Sequence, residues 1–260
     1  MSMSTDLETP ATVTPVLTAT DVVKDLGSGA GKVRALKGVS LSLNPGELTL
    51  LMGPSGSGKT TLLSIMGCIL APTEGSVTIA GESLEGLDPE GLADLRRRHV
   101  GFIFQSYNLF PTLNAMENIR LALDVKGMTP REGQQKAELA LKAVGLGHRL
   151  KNYPRHLSGG EQQRVAVARA IAGAPSVILA DEPTAALDSE NGHAVMALLA
   201  EIAKDKSRAV LAVTHDPRTH AYADRIIRIE DGRIVGEERR TEARENVTPY
   251  DLTRKRKAHA

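Results

Sequence analysis

The fold is decided by the stretch Leu48-Thr-Leu-Leu-Met-Gly-Pro-Ser-Gly-Ser-Gly-Lys-Thr60. Its first five residues form a short, mostly apolar run that ends at Gly53, which predicts a buried strand. Residues 53–60 then match the pattern G-x-x-x-x-G-K-[ST], and the apolar sequence that follows predicts a helix. A strand, a glycine-rich loop and a helix in this order predict a phosphate-binding loop.

Each residue type in this loop suits a polyphosphate ligand. Glycines let successive backbone N–H groups turn inward around phosphate oxygens, and the helix that follows adds the positive end of its dipole. We expect Lys59 to reach the β- and γ-phosphates and Thr60 to bind Mg²⁺ through its hydroxyl. The expected nucleotide contacts in this region are Gly53, Pro54, Ser55, Gly56, Ser57, Gly58, Lys59, Thr60 and Thr61.

Two carboxylates follow a second apolar run, Val177–Ala180. The carboxyl ends of strands next to a phosphate loop are where α/β sheets bind ligands. Successive side chains on a strand point in opposite directions, so Asp181 and Glu182 can do different work. We expect Asp181 to support Mg²⁺ and Glu182 to polarise the attacking water. His215, which follows the apolar run Ala209–Thr214, is a candidate contact to the γ-phosphate.

Strand-like and helix-like segments alternate along residues 16–236 and predict an α/β fold. Uninterrupted apolar runs suit strands that are buried on both faces, hence a parallel sheet covered by helices. Residues 84–160 are rich in helical signals and predict an inserted helical subdomain. Further local signals are an amphipathic helix marked by Val195, Leu198, Leu199 and Ile202, a hairpin turn at Asp231-Gly232, a helix start at Thr129–Glu132 and a connecting turn at Gly27–Lys32.

Composition excludes several classes of protein. Hydrophobic residues make up 41% of the 260 residues, which indicates a globular chain, and a net charge of 32 − 31 = +1 argues against a nucleic-acid partner. Cys68 is the single cysteine, so an intrachain disulfide and a Cys-rich zinc site are excluded and a buried thiol is expected. No signal peptide or membrane span is evident, which predicts a cytoplasmic location. Residues 1–15 and 237–260 are predicted to be flexible tails, the second of them basic.

A third motif identifies the family. The segment Leu157-Ser-Gly-Gly-Glu-Gln-Gln-Arg164 resembles the signature of ABC ATPases, the nucleotide-binding subunits of ATP-binding cassette transporters. The other diagnostic motifs appear in order across residues 16–236: the phosphate loop, Gln105 as the Gln-loop glutamine, the acidic strand end, Ala185–Asp188 as the D-loop and His215 as the switch histidine. The resemblance implies a P-loop NTPase core with a parallel sheet, a small antiparallel β subdomain and the inserted helical subdomain.

The family also implies a mechanism and partners. Two copies face head to tail, and each ATP lies between the phosphate loop of one copy and the signature of the other. Ser158, Gly159, Gly160 and Asp188 are then expected to contact nucleotide, with a helix beginning near Glu161. Gln105 is expected to sense Mg²⁺ and the attacking water. The catalytic set is therefore Glu182, His215, Gln105 and Lys59, the metal set is Thr60, Gln105 and Asp181, and the cofactors are ATP and Mg²⁺.

A membrane permease subunit is the second implied partner. In this family the segment around the Gln-loop docks a cytoplasmic helix of that subunit, which places the chain on the inner face of the cell membrane. Tyr107 and Phe110 are the expected contacts, while Phe102 and Phe104 are expected to lie mostly in the core. A periplasmic adaptor is a further candidate partner.

One position departs from the family pattern. ABC ATPases usually carry an aromatic residue upstream that stacks on adenine, and the alignment places Leu26 there. Residues 1–101 contain no aromatic side chain at all. Adenine is then expected to rest on aliphatic groups such as Leu26 and Val33, with weaker base selectivity as the consequence. Glu161 also replaces a more usual glutamine.

The amino-acid sequences of three segments favour one branch of the family. FQSYNLFPTLNAMENI, LSGGEQQRVAVARAI and ILADEPTAALDS are similar to cassettes of the macrolide-efflux, lipoprotein-releasing and heterocyst glycolipid exporter type. The predicted function is therefore ATP hydrolysis that powers export through a separate membrane subunit. Two alternatives stay open: a cassette of a polar amino-acid importer, and a cell-division ATPase that moves no solute.

Overall fold

The computed structural model describes residues 13–240. Within them the chain forms ten strands: β1 Leu17–Leu26, β2 Val33–Leu43, β3 Leu48–Met52, β4 Glu74–Ile79, β5 Glu82–Ser83, β6 Val100–Ile103, β7 Val177–Asp181, β8 Ala209–Val213, β9 Arg225–Glu230 and β10 Arg233–Arg239. The helices over the same residues are α1 Lys59–Met66, α2 Pro89–His99, α3 Ala115–Val125, α4 Pro130–Ala143, α5 Gly159–Ala172 and α6 Ser189–Ala203.

The larger sheet has the strand order β10-β9-β3-β8-β7-β6. All its neighbouring strands run parallel except β9 and β10, which form the predicted hairpin around Asp231-Gly232. Every residue of β3 and β8 is buried, as the uninterrupted apolar runs predict. The carboxyl ends of β3 and β7 lie on the same edge of the sheet and lead into the phosphate loop and the two carboxylates.

A second, antiparallel sheet covers one side of the molecule in the order β2-β1-β4-β5. Side chains of this sheet share one apolar core with α1 and with the facing residues of β7 and β8. The helix that follows the phosphate loop is therefore packed between two sheets. Its first turn, which carries the loop, cannot move without disturbing both.

The predicted helical insertion is smaller than residues 84–160. Residues 100–103 form β6, which pairs with β7 as an edge strand of the larger sheet, and α2 packs next to it. The apolar side chains of α2, Leu92 and Leu95, belong to the same core as α1. The insertion proper consists of α3, α4 and the first turns of α5, which share the other core with α6.

The predicted tails lie mostly outside the described residues, with one correction at the carboxyl end. Residues 237–239 complete β10 rather than beginning a tail. Glu237 pairs with Ile227 in the register and binds the guanidinium of Arg225 at 2.6 Å. This ion pair and the antiparallel ladder hold the strand beyond the point where its apolar pattern ends.

The expectation of a buried thiol is confirmed. Cys68 is buried, and burial raises the pKa of its thiol to about 11. Along residues 13–240 every helix is too short or too polar to cross a bilayer, the longest being the 15-residue α6.

Candidate functional site

The phosphate loop, residues 53–60, joins β3 to α1. Gly53 leaves no room for a side chain, because a Cβ there would lie 2.0 Å from the Ile229 carbonyl oxygen. Gly58 begins the helix with a φ of +99°, a conformation that glycine adopts without strain. The two glycines bring the loop backbone close to β9 and to β2, so the pattern seen in the sequence has a steric cause.

Lys59 is buried and folds back across this loop. Its Nζ donates to the carbonyl oxygens of Gly53 at 2.8 Å and Pro54 at 2.7 Å. Ser57 is also buried, and its hydroxyl has no hydrogen-bond partner within residues 13–240. A buried polar atom without a partner costs free energy, so its presence in this loop fits a ligand that supplies oxygen atoms.

Asp181 and Glu182 stand where β7 ends. Burial, and then the charge of Glu182, raise the pKa of Asp181, while Lys59 and a hydrogen bond from Thr60 lower it. One carboxylate oxygen of Asp181 is buried with no hydrogen-bond partner among the residues described. An acidic oxygen held in this way next to the Thr60 hydroxyl is the donor set that Mg²⁺ prefers.

Glu182 and His215 meet across the ends of two adjacent strands. His215 Nδ1 lies 2.9 Å from Glu182 Oε1, so the imidazole hydrogen-bonds the carboxylate. Glu182 has a φ of +46°, and its backbone N–H donates to the Val213 carbonyl at 3.0 Å. Left-handed backbone at a non-glycine residue is strained, and such strain clusters at functional sites.

An open groove of about 710 Å³ collects most of these residues. Its lining includes Lys59, Thr60, Gln105, Glu182 and His215, together with Leu26 and Val33. No Phe, Tyr or Trp side chain lines it within the described part of the chain. The groove thus has polar groups for a polyphosphate and an aliphatic surface of Leu26 and Val33.

The turn Asp231-Gly232 also lines this groove, which the sequence did not reveal. Gly232 N–H donates to the Ser57 carbonyl at 3.1 Å, and a Cβ on Gly232 would lie 2.6 Å from the Ala35 carbonyl oxygen. The turn is therefore wedged between β2 and the phosphate loop. Its hairpin signal was correct, but no local pattern indicates a contact between segments so far apart along the chain.

Four other predicted nucleotide contacts lie elsewhere. Ser158, Gly159, Gly160 and Asp188 are absent from the lining of the groove and instead surround the start of α5 and α6. The helix α5 begins at Gly159, two residues before the predicted start near Glu161. The reason is a capping box: Ser158 Oγ accepts from Glu161 N–H, and the Glu161 carboxylate accepts from Ser158 N–H at 2.8 Å.

This second group, which we call the signature cluster (Ser158, Gly159, Gly160, Asp188 and Asn191), is tightly packed. A Cβ on Gly160 would lie 2.3 Å from Asn191 Oδ1. Asn191 is fixed in turn, because its Nδ2 donates to Asp188 at 2.7 Å and its N–H donates to the same carboxylate at 2.9 Å. The cluster presents glycine backbone with little freedom to move.

Gln163 joins the two groups, and sequence reasoning assigned it no role. It is fully buried, and its Nε2 donates to the Pro183 carbonyl at 2.7 Å, one residue beyond Glu182. The only available signal was a polar residue on the apolar face of α5. Such a residue needs a partner, but the sequence does not say which one.

A separate cleft of about 810 Å³, which we call the aromatic cleft, lies between α2 and α3. Phe102, Phe104 and Phe110 line it, and the rings of Phe102 and Phe104 stack at 5.2 Å. Both residues are partly buried, and Phe102 also packs against the core that contains α1, as expected for it. Along β6 the side chains alternate, so Ile103 faces the core and the two rings face the cleft.

Tyr107 does not line this cleft. Its hydroxyl donates to the Ala186 carbonyl at 3.4 Å and would lie 3.0 Å from a Cβ on Gly159, so the ring faces the signature cluster. Phe110, in contrast, lines the cleft and is 52% exposed. The two aromatic residues that the sequence grouped together therefore serve different surfaces.

Comparison with known proteins gives a consistent answer. The family model described as ABC transporter matches residues 36–185. The macrolide export ATP-binding/permease protein MacB of Shigella flexneri is 44% identical over 223 residues, which are 86% of this chain and 34% of that protein. MacB of Hyphomonas neptunium is 43% identical over 242 residues, 93% of this chain and 37% of that protein. The chain thus spans about a third of the length of these relatives.

Solved structures of ATP-binding cassettes are similar in fold to this chain. A dimeric post-hydrolysis state of the ATP-binding cassette MJ0796, bound to ADP and Pi, superposes with a TM-score of 0.77 at 42% identity and covers 86% of this chain and 98% of that one. CbiO1 of Clostridium perfringens, part of an ABC transporter complex, gives the same TM-score at 26% identity, over 86% of this chain and 88% of that one.

Proposed function

The chain belongs to the ABC transporter family of ATP-binding domains, and we propose that it hydrolyses ATP as a head-to-tail dimer to power export through a separate membrane subunit. One observation carries the proposal. A single groove brings Lys59, Thr60, Gln105, Glu182 and His215 together, whereas the signature cluster lies outside it. Each chain therefore carries two separate parts of a nucleotide site, the groove and the signature cluster.

The phosphate loop binds the triphosphate. Lys59 now donates to two carbonyl oxygens of its own loop, and phosphate oxygens are the acceptors for which it exchanges them. The N–H groups of residues 55–61 and the start of α1 add positive potential. The base then lies along the rest of the same groove, where Leu26 and Val33 are exposed by 39% and 64%.

Mg²⁺ is the proposed metal, and Thr60, Asp181 and Gln105 are its proposed holders. The partnerless oxygen of Asp181, beside the Thr60 hydroxyl, fits a hard cation. When bound, Mg²⁺ neutralises charge that develops on the β- and γ-phosphates. Burial favours protonation of Asp181, so the metal also compensates a carboxylate that is costly to keep ionised.

Glu182 orients and polarises the attacking water. Its backbone N–H donates to the Val213 carbonyl, which holds the residue at the end of β7, and its carboxylate is held by His215 at 2.9 Å. His215 donates through Nδ1 to Glu182, and as an imidazolium it would also donate through Nε2 to the γ-phosphate. Gln105 follows β6 and lines the same groove, where its side-chain amide would contact the water and the metal.

The signature cluster completes the site of a second copy. Ser158 to Gly160 present a capped helix start whose dipole and N–H groups favour a γ-phosphate. Since these residues do not reach the groove of their own chain, a head-to-tail dimer gives each of them a ligand. The related cassette MJ0796, at 42% identity, is described as dimeric, which supports the same arrangement here.

The aromatic cleft is the proposed docking place of the membrane subunit. Phe102, Phe104 and Phe110 offer an apolar surface that is large for a chain with 3% aromatic residues. Four basic side chains line the cleft against two acidic ones, Glu90 and Asp94, and this excess of positive charge suits a partner segment with apolar and acidic side chains. Docking there places the chain on the inner face of the cell membrane, and a periplasmic adaptor on the far side is a further candidate partner.

Export is the proposed direction because the relatives at 43–44% identity are described as macrolide export proteins. Those proteins carry a permease in the same chain, whereas we propose a separate membrane subunit. A polar amino-acid importer and a cell-division ATPase are the competing functions. All three share the hydrolytic groove, so the partner distinguishes them.

The test is to capture the partner. A tagged Glu182→Gln chain is purified with ATP and Mg²⁺ from gently solubilised membranes of its host, and co-purifying proteins are identified by mass spectrometry. A membrane subunit with few spans and a large outer domain supports export. A many-span permease with a solute-binding protein indicates import, and soluble partners alone contradict transport. The matched control adds Phe110→Asp, which should lose the membrane subunit but keep the ATP-dependent dimer.

A further inference from the structure

Shortly after Gln105, the consecutive residues Tyr107 and Asn108 have left-handed backbone, a conformation that residues other than glycine disfavour. Tyr107 has a φ of +61° and Asn108 a φ of +49°. Isolated left-handed residues occur in turns, but two in a row without glycine persist only where the surroundings impose them. Something outside the segment must therefore hold it.

Arg169, in the last turns of α5, is in contact with both residues. Its Nη2 donates to the Tyr107 carbonyl at 2.8 Å, and its Nη1 donates to the Asn108 carbonyl. A guanidinium presents several donors in one rigid plane, so a single side chain can hold two successive carbonyl groups. The fork fixes the two peptide units relative to each other and to α5.

The position of Arg169 is electrostatically costly. Burial lowers the pKa of its guanidinium, and no carboxylate lies within 4.0 Å of it among residues 13–240. The two carbonyl dipoles are its compensation. A charge placed in this way for packing alone could be replaced by an apolar side chain at lower cost, which indicates a role for the hydrogen bonds themselves.

Three regions meet at this residue. The segment it holds begins at Gln105, which lines the nucleotide groove. The helix that carries it begins with Ser158 to Gly160 of the signature cluster. Arg169 itself lines the aromatic cleft beside Phe104 and Phe110.

We propose that Arg169 is a positioning residue: it locks the segment 105–108 onto the signature helix, so that Gln105 is held in the groove and moves together with α5. This inference rests on the proposed ATPase function. A partner segment in the cleft would contact Arg169 directly. A displacement of Arg169 would then move the segment that carries Gln105, through the two hydrogen bonds.

The test compares Arg169→Lys, Asn108→Gly and the double variant by ATP titration. Lysine keeps the charge but loses the fork. We expect kcat of Arg169→Lys to fall at least tenfold with KM changed less than twofold, because ATP binds through the phosphate loop. Glycine adopts left-handed backbone without strain. Asn108→Gly alone should therefore stay within twofold of the parent, while in the double variant it should restore kcat at least threefold.

Hydrogen exchange provides a second, direct measurement. In Arg169→Lys the peptide spanning residues 105–112 should exchange at least tenfold faster, with α1 and β7 unchanged. Unchanged exchange there, or a kcat within twofold of the parent, or a double variant no better than Arg169→Lys, overturns the proposal. If the parent chain hydrolyses no ATP, the proposed function fails, and hydrogen exchange alone then judges the contact.

Discussion

The nucleotide groove and the signature cluster are built on opposite principles. The groove is lined by a strained Glu182. Chain neighbours of its lining residues add a buried Ser57 hydroxyl and an Asp181 oxygen, neither of which has a hydrogen-bond partner among the described residues. In the signature cluster the Ser158 and Glu161 side chains complete a capping box, and Asn191 fixes Asp188 in place. The first region has buried polar atoms without hydrogen-bond partners among the described residues, whereas the capping side chains of the second region have their partners.

This difference indicates how the two regions work. Unsatisfied polar groups and strained backbone store free energy that a ligand can release, which is typical of a place where chemistry occurs. A capped, closely packed helix start keeps its N–H groups in a fixed direction and needs no rearrangement to meet a phosphate. The contrast supports our proposal that the groove is the reacting half and that the signature cluster is a rigid surface for another copy.

The largest effect is expected from a substitution of Glu182, the proposed general base in the groove. Glu182→Gln should bind ATP but hydrolyse it at least about a hundredfold more slowly, because a positioned general base contributes roughly 10²–10⁴-fold. It should also accumulate as an ATP-bound dimer. Phosphate release and size-exclusion chromatography with ATP check both statements. A turnover equal to that of the parent would remove Glu182 from the mechanism.

A second change disturbs only the rigid half. In Gly160→Ala the new Cβ would lie 2.3 Å from Asn191 Oδ1, and Asn191 is held by Asp188, so the helix start must shift. Misplacement by about 1 Å can cost up to about a hundredfold in rate. We expect hydrolysis to fall about ten- to a hundredfold with ATP binding to the monomer unchanged.

The matched control for that change is Gly236→Ala. Gly236 lies in β10, and a Cβ added there would meet no described atom within 4 Å, so the hydrolysis rate of this variant should equal that of the parent. Equal losses in both variants would mean that glycine substitution acts through general destabilisation. Thermal unfolding of the two variants separates these outcomes.

A smaller effect concerns the aliphatic surface of the groove. Without an aromatic platform, ATP and GTP should compete within about tenfold of each other. Leu26→Tyr should tighten binding of both, since stacking a base on an aromatic ring is worth about 1–3 kcal/mol. Val235→Tyr, at an exposed position outside the groove, is the matched control and should change nothing. A parent chain that prefers ATP by orders of magnitude would refute the aliphatic base site.

The smallest effect is on stability. The pKa of Asp181 is raised on folding, so its cost is present above that pKa and disappears as the pH falls through it. Asp181→Asn should therefore stabilise the nucleotide-free chain at neutral pH by about 1 kcal/mol, the usual size of such active-site trade-offs. Calorimetry should show a higher Tm, and the gain should vanish in acid. Mg²⁺ should raise the Tm of the ATP-bound parent but not that of the variant.

The sequence specified the elements of this molecule better than their assembly. Val177–Ala180 and Ala209–Thr214 indicated buried strands because their apolar runs are uninterrupted, and Thr129 with Glu132 marked a helix start through local capping. The boundary of the helical insertion was wrong because β6 joins the sheet through pairing with β7, a contact over 77 residues.

The candidate site shows the same division. The motif of residues 53–60 predicted a loop between a buried strand and a helix, and the structure has both, because that pattern is local. The roles of Gly232 and Gln163 and the different surfaces of Tyr107 and Phe110 depend on contacts between distant segments, which no periodicity encodes. Ser158 and Glu161 were an exception, since the S-x-x-E spacing of a capping box is visible in the sequence and explains the earlier start of α5.

The most direct test of the account mixes two defective chains. Gly160→Ala keeps an intact groove and Glu182→Gln keeps an intact signature cluster, and the two are combined at equal amounts without nucleotide before ATP and Mg²⁺ are added. If the signature cluster serves the ATP of the other copy, half of the dimers are mixed and each has one intact site. Hydrolysis should then recover to about a quarter of the parent rate. A rate equal to the mean of the two separate variants would show that both halves act within one chain, and would contradict the account.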